Sequence, residues 1–146
     1  MEVTMKVKRF NPDTTRSLAY YQNYDFEVSE SSTVLDGLIK IREEIDGSLA
    51  LRCSCRSAIC GSCAMRINGR ARLACNTKIS DVQSTDNYTV LVEPAGNMKV
   101  VKDLVVDFTP FWGKIHATQP WLQPQGPEPE TEYITPNEAM LHLAGV

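Results

Sequence analysis

The arrangement of the cysteines constrains this chain more than any other feature of its sequence. All five lie between Cys53 and Cys75, and four of them follow the spacing C-x4-C-x2-C-x11-C: Cys55, Cys60, Cys63 and Cys75. An odd number of cysteines in one short stretch is poorly explained as a disulfide framework, particularly because the N-terminus lacks the apolar core of an export signal. The pattern instead indicates metal binding in a reducing compartment.

The spacing is the one by which a plant-type ferredoxin loop holds a [2Fe–2S] cluster. Small residues between and beside the four cysteines let the backbone pass close to such a cluster. A structural zinc site with four cysteine ligands is the main alternative, but such sites usually contain two short C-x2-C pairs and only Cys60–Cys63 qualifies. A thioredoxin-type redox pair would not need Cys55 or Cys75. We therefore predict a [2Fe–2S] cluster with Cys55, Cys60, Cys63 and Cys75 as the iron ligands.

Cys53 is the one cysteine outside the predicted ligand set. If it replaced Cys55, the first gap would lengthen to six residues and the register of the motif would be lost. We therefore interpret Cys53 as a thiol that lies near the site without binding iron.

Charge around the cysteines is strongly one-sided. No acidic residue occurs from Gly47 to Ser80, whereas this stretch carries six cations: Arg52, Arg56, Arg66, Arg70, Arg72 and Lys78. Cations favour the reduced, more negative form of a cluster, so we expect a potential above the value of about −400 mV typical of plant-type ferredoxins. For any single arginine, a solvated basic rim is the simpler interpretation. The asymmetry would also suit an acidic partner.

Bulk composition excludes other classes of protein. The net charge is −3 and no polybasic stretch is present, which argues against nucleic-acid binding. No apolar run approaches the 18 or so residues of a transmembrane helix, so we do not expect this chain to span a membrane.

Hydrophobic patterns before the cysteines predict two strands and a helix. Val3, Met5 and Val7 alternate with polar residues, as do Tyr24, Phe26 and Val28, so two antiparallel strands are expected. Thr33 and Asp36 have the spacing of a capping box. The helix that follows would bury one apolar stripe: Val34, Leu35, Leu38, Ile41 and Ile45.

After the motif, Asn68-Gly69 indicates a hairpin. We prefer a three-residue loop to a two-residue turn, because it pairs Ile67 with Ala71 and Met65 with Leu73 and so matches apolar faces. Tyr88, Val90 and Val92 predict a further strand that ends at Pro94. The apolar run from Val100 to Phe108 is too short to be assigned by periodicity.

The order of strand, strand, helix, metal loop, hairpin and strand predicts an α+β fold that resembles the β-grasp layout of plant-type ferredoxins. We expect this domain over residues 1–108. Residues 109–146 hold six of the eight prolines and both tryptophans, which predicts an extended linker and the start of a further helical domain. Within it, Thr135 and Pro136 are expected to cap and begin a short terminal helix that runs through Ala144.

The segment CRSAICGSCAMRINGRARLAC, followed by LVEP, VVKDLVVDF and QPWL, resembles the iron–sulfur subunit of succinate dehydrogenase and fumarate reductase. In that family the third ligand is Cys or Asp, and here it is Cys63. The family fold continues into a helical domain with [4Fe–4S] and [3Fe–4S] clusters. Because no cysteine follows Cys75, we expect those clusters only if a C-terminal domain exists beyond this chain.

The resemblance implies a non-catalytic subunit that relays single electrons between the FAD of a flavoprotein subunit and further clusters leading to quinone. It also implies membrane anchor subunits and a peripheral position on the cytoplasmic face of the cell membrane. A stand-alone [2Fe–2S] ferredoxin-type carrier, or the ferredoxin domain of another oxidoreductase, is the alternative. The tail containing Trp112 and Trp121 argues against a diffusing carrier, although those tryptophans are equally compatible with packing on this chain's own sheet.

Overall fold

A computed structural model of the chain describes residues 1–14, 18–84, 89–123, 126–127, 130–132 and 134–145. The chain divides into two compact units, Met1–Trp112 and Gly113–Val146. The first unit contains the sheet and all five cysteines.

A mixed five-stranded sheet forms the first unit, with strand order β2-β1-β5-β3-β4. Neighbouring strands are antiparallel except β1 and β5, which are parallel. The strands are β1 Glu2–Arg9, β2 Tyr20–Glu27, β3 Ala64–Ile67, β4 Arg70–Leu73 and β5 Thr89–Pro94. Together with one helix packed on one face, this sheet confirms the predicted α+β ferredoxin-like fold.

The buried face of the sheet follows the predicted alternation. Val3, Met5 and Val7 of β1 are almost inaccessible to water, and β1 pairs with β2 in antiparallel register as expected. In the last strand, Val90 and Val92 are fully buried and the strand ends at Pro94. Tyr88, predicted to begin that strand, lies outside the described residues.

The helix lies across the buried face. Helix α1 spans Val34–Lys40 and continues as a π-helical turn, Ile41–Ile45. Thr33 and Asp36 form the predicted capping box. A Cβ atom added to Gly37 would lie 2.5 Å from Cε of Met5, so the absence of a side chain lets helix and sheet approach closely.

One position of the predicted apolar stripe is wrong. Ile45 is 50% exposed, whereas the other four members of the stripe are buried. The π-helical turn accounts for the difference, because a residue inserted into a helical turn rotates the following side chains away from the 3.6-residue period.

The hairpin between β3 and β4 also differs from the prediction. A two-residue turn at Asn68 and Gly69 pairs Ile67 with Arg70 and Met65 with Arg72, so the preferred three-residue loop is wrong. Both turn residues have positive φ, 48° and 76°, as type I′ hairpin turns require. Matching of apolar faces does not decide the register here, because β4 is an edge strand that is mostly exposed.

The unassigned apolar run forms a second, small hairpin. Strand β6, Val100–Lys102, pairs with β7, Val105–Val106, around a turn in which Asp103 has a φ of 46°. The hairpin holds the segment that leads into the cysteine loop, because the Leu104 amide donates to the Ala50 carbonyl over 3.2 Å.

Residues 109–146 contain two helices in the described part. Helix α2, Thr109–Thr118, occupies a stretch that the sequence predicted to be extended, so that part of the prediction is wrong. Helix α3, Asn137–Ala144, matches the predicted terminal helix, but it is preceded by Pro136 at the cap position and has no side-chain cap, so Thr135 is not its cap. The proline-rich segment between the helices lies partly outside the described residues.

Candidate metal centre

Two elements carry the four cysteines of the motif. Cys55 and Cys60 lie on the loop between the π-helical turn and β3, and Cys63 immediately precedes β3. Cys75 lies in a single 3₁₀ turn, Ala74–Asn76, that follows β4. Because the β3–β4 hairpin pairs Ala64 with Leu73, its two ends meet, and the Ala74 amide donates to the Cys63 carbonyl over 3.1 Å.

The loop wraps around the sulfur of Cys55. Its Sγ accepts hydrogen bonds from the backbone amides of Ser57, Ile59 and Cys60 at 3.3, 3.4 and 3.3 Å. In return, the Cys55 amide donates to Sγ of Cys60 over 3.5 Å. Amides that converge in this way create a concave site for negative charge, so the loop is built to hold thiolate sulfur.

Left-handed backbone conformations produce this convergence. Arg56 and Ala58 have φ values of 54° and 58°, and Gly61 has 72°. Residues other than glycine rarely adopt this region, and each such residue costs on the order of 1 kcal/mol or more. The loop therefore holds a shape that most short loops avoid, and that shape directs its amides toward the sulfur atoms.

Cys60 is the exposed thiol of the first pair. Hydrogen bonds from the Ser62 side chain, and then from the Cys55 amide, lower the pKa of Cys60 to about 6. Because the thiolate is the form that binds metals, this environment prepares Cys60 to act as a ligand.

Cys63 and Cys75 form the second pair. Cys63 is only 4% exposed, and burial raises its pKa. Cys75 is half-buried and directly follows Ala74, whose amide donates to the Cys63 carbonyl, so the two ends of the hairpin bring these cysteines together.

The motif thus comes together as two pairs, Cys55 with Cys60 and Cys63 with Cys75. Two thiolates per iron is the ligand arrangement of a [2Fe–2S] cluster, so the two pairs fit that group. The assignment of individual ligands stays a prediction.

Cys53 lies two residues before Cys55, is half-buried and packs against the hydrophobic core of the first unit. Its predicted role as a non-ligand thiol stays a prediction.

The six cations of this stretch are all exposed. Arg52 is bound to its surroundings: Nη1 donates to the Val106 carbonyl over 2.9 Å, and the guanidinium lies 5.4 Å from the centroid of the Phe108 ring. Within the part of the chain that the structure describes, none of the six forms a salt bridge, while Lys8, Arg9, Lys40 and Arg42 each do. These six side chains form a basic rim whose charges are not paired with carboxylates of the described residues, so the rim can bind acidic groups of another molecule.

A groove of about 530 Å³ opens beside Cys60. Arg52, Gly61 and Ser62 line one part of it, and the aromatic side chains of Phe108, Phe111 and Trp112 line another. Sequence reasoning singled out Trp112 but not the groove. The sequence feature that could have indicated the groove is the run FTPFW after the apolar stretch, because it concentrates three aromatic residues in five positions.

Fold and site together define an iron–sulfur protein of the ferredoxin type, and comparison with known proteins supports this class. A family model described as "2Fe-2S iron-sulfur cluster binding domain" matches residues 4–113. The chain belongs to this family, which confirms the predicted [2Fe–2S] cofactor.

The most informative relatives narrow the class further. The chain is 41% identical over 128 residues to the mitochondrial succinate dehydrogenase [ubiquinone] iron-sulfur subunit 1 of Oryza sativa subsp. japonica, covering 87% of this chain and 44% of that protein. It is 41% identical over 120 residues to the fumarate reductase iron-sulfur subunit of Mycobacterium tuberculosis, covering 82% and 47%. The chain thus spans less than half the length of these curated relatives. The predicted resemblance is confirmed.

A solved structure agrees with the sequence relatives. A chain of the Mycobacterium smegmatis Sdh1 complex in the apo form superposes with a TM-score of 0.74 and 26% identity, covering 95% of this chain and 56% of that one. In the described part of this chain, no helix has the length and apolar character needed to cross a bilayer.

Proposed function

We propose that this chain is the electron-transfer part of a succinate dehydrogenase or fumarate reductase iron–sulfur subunit. It relays single electrons between the FAD of a flavoprotein subunit and further iron–sulfur clusters that lead to quinone. The observation that carries the proposal is that one loop and one hairpin bring the four cysteines together, with loop amides donating to Sγ of Cys55, in a chain that is similar to subunits of both enzymes.

In this proposal Cys55 and Cys60 bind one iron, and Cys63 and Cys75 bind the other. When bound, a [2Fe–2S] cluster accepts and releases one electron at a time. The chain's own contribution is structural and electrostatic. The amides of Ser57, Ile59 and Cys60 donate to sulfur, which adjusts the potential and fixes the geometry.

The surface near Cys60 supports the proposal of a docked electron partner. Ile59, at the tip of the loop, is 83% exposed, and Trp112 in the adjoining groove is 55% exposed. Exposed apolar side chains beside an exposed ligand provide a contact patch at the point where electron transfer distance is shortest. We propose that the flavoprotein covers Ile59 and that the basic rim, including Arg56, contacts acidic groups on it.

The remaining assignments are part of the same proposal and rest on the family resemblance carried by the cysteine motif and the segments that follow it. Residues 1–108 form the cluster domain, and residues 109–146 lead toward a helical domain that holds [4Fe–4S] and [3Fe–4S] clusters. The complex is anchored by separate membrane subunits, and this chain lies peripherally on the cytoplasmic face of the membrane. The direction of catalysis, succinate oxidation or fumarate reduction, belongs to the flavoprotein.

One observation favours a second candidate. Residues 1–112 form a compact unit with its own core, as a stand-alone [2Fe–2S] ferredoxin-type carrier would.

The test has two stages. Iron, sulfide and zinc are measured in the purified chain, and an electron paramagnetic resonance spectrum is recorded after reduction with dithionite. We expect two irons, two sulfides and a spectrum of one unpaired electron per chain; a zinc-containing chain without a spectrum would eliminate both candidates. Capture of an FAD-containing flavoprotein by the tagged chain then supports the subunit, and its reduction of the cluster without stable association supports the carrier.

A further inference from the structure

Arg52 is held beside the cysteine loop in a way that other cations of that stretch are not. Its guanidinium is fixed at two points, by the hydrogen bond to the Val106 carbonyl and by the contact with the Phe108 ring. The side chains of Arg56, Arg70, Arg72 and Lys78 make no hydrogen bond, ion pair or ring contact with any described residue. These two contacts give the Arg52 charge a defined position beside the loop, which those four cations lack.

The fixed charge of Arg52 lies at the cluster loop. Arg52 and Cys60 line the same groove, together with Gly61 and Ser62. The groove contains one opposing charge, Asp107, whose carboxylate accepts a hydrogen bond from the Thr109 amide over 2.9 Å. The local field at Cys60 thus depends on two held side chains of opposite sign.

We infer that Arg52 is a potential-setting residue, whose charge raises the reduction potential of a [2Fe–2S] cluster bound at the four cysteines, and that Asp107 opposes it. The inference rests on the proposed function, because it requires the cluster. A cluster with four thiolate ligands is an anion and becomes more negative when it takes up one electron. A cation at a fixed position therefore stabilises the reduced form more than the oxidised form, and an anion has the reverse effect.

The experiment is a dithionite titration of the cluster-containing chain, in which the reduced signal is followed by electron paramagnetic resonance. Arg52→Gln removes the positive charge, and Arg52→Lys keeps it. Asp107→Asn removes the negative charge and retains an oxygen that can accept from the Thr109 amide. Lys6→Gln is the matched control, because Lys6 is an exposed cation on β1, which β5 separates from β3.

We expect the midpoint reduction potential of the cluster to shift to a more negative value in Arg52→Gln and to a more positive value in Asp107→Asn. Arg52→Lys retains most of the wild-type value, and Lys6→Gln is unchanged. If Arg52→Gln incorporates no cluster, the Asp107→Asn and Arg52→Lys arms still decide. An unchanged midpoint in Arg52→Gln, equal shifts in the Gln and Lys variants, or a shift of Asp107→Asn in the negative direction would overturn the inference.

The same titration separates this inference from the proposed function. A wild-type chain without the reduced signal refutes the cluster assignment itself. A wild-type signal with a midpoint that is indifferent to residue 52 refutes only the role of Arg52.

Discussion

The Arg9 guanidinium donates from Nε to Oδ1 of Asp103 over 2.9 Å, and the two side chains are only 5% and 2% exposed. This buried ion pair joins the first strand of the sheet to the turn of the β6–β7 hairpin. The second carboxylate oxygen of Asp103 accepts from the Ala50 amide over 2.9 Å. The pair therefore also fixes the backbone just before the cysteine loop.

Replacing Asp103 by Asn should destabilise the fold strongly. The substitution keeps the shape of the side chain but removes the more deeply buried of the two carboxylates that pair with Arg9, the other being Asp46 at 2.6 Å. Breaking a buried ion pair costs about 3 kcal/mol, and because Asp46 remains, we expect a loss of up to that size. Urea unfolding of the purified variant measures the loss. Asp13→Asn, the same change at an exposed turn position, is the control and should lie within about 0.5 kcal/mol of the wild type. Equal stability of the two variants would contradict the prediction.

Stability should fall with acid because of Asp46. Hydrogen bonds from the Ser48 side chain and the Tyr24 hydroxyl, together with Arg9, hold the pKa of this carboxyl well below its usual range. The unfolded state, with a pKa of about 3.9, therefore takes up a proton before the folded state does. The stabilisation from Asp46 is fully present above that pKa and is lost as the pH falls toward the folded-state value.

Urea unfolding between pH 7 and pH 3 tests this prediction with Asp46→Asn. The variant should be less stable than the wild type at pH 7, and the difference should narrow as the pH falls below about 4. A difference that stays constant over the whole range would show that the carboxylate charge of Asp46 does not contribute.

Single substitutions should separate the predicted ligands from the remaining cysteine. Cys60→Ala removes a ligand atom, so the visible absorption of the cluster should be largely lost. Cys53→Ala should retain it, because Cys53 lies outside the spacing of the motif. Loss of the cluster from Cys53→Ala, or its full retention in Cys60→Ala, would require a different ligand set.

A side chain at the second position of the turn between β3 and β4 should lower the stability of the fold. Gly69 has a φ of 76°, so Gly69→Ala should destabilise the chain by about 1 kcal/mol. Gly113→Ala is a suitable control, because a Cβ added there meets no atom within 4 Å and alanine favours a helix. Thermal unfolding of both variants gives the comparison. Equal effects would contradict the role of the turn.

The sequence predicted the features that local patterns determine. Alternation placed Val3, Met5 and Val7 on one face, and the capping box at Thr33 marked the start of the helix. The cysteine spacing selected a ligand set whose members the fold brings together in pairs. Each of these features depends on neighbours close in the chain, and such features are visible without a structure.

Features that depend on distant contacts were not visible. The hairpin register was wrong because Met65 and Ile67 face the core while their partners on the edge strand, Arg72 and Arg70, do not need to be apolar. The exposure of Ile45 follows from a π-helical turn, for which the sequence contains no recognised signal. Arg9 and Asp103, which are 94 positions apart, form a contact that periodicity does not report.

The two cysteine pairs differ in what brings them together. Cys55 and Cys60 are separated by four residues and meet within one loop, so their proximity requires only that this short segment be ordered. Cys63 and Cys75 are separated by eleven residues and meet because β3 and β4 have paired and the turn has formed. Closing the longer segment has a higher entropic cost, which the hairpin hydrogen bonds offset. During synthesis of the chain, the first pair can therefore assemble before the second, and only completion of the hairpin brings the full set of four sulfur atoms into position.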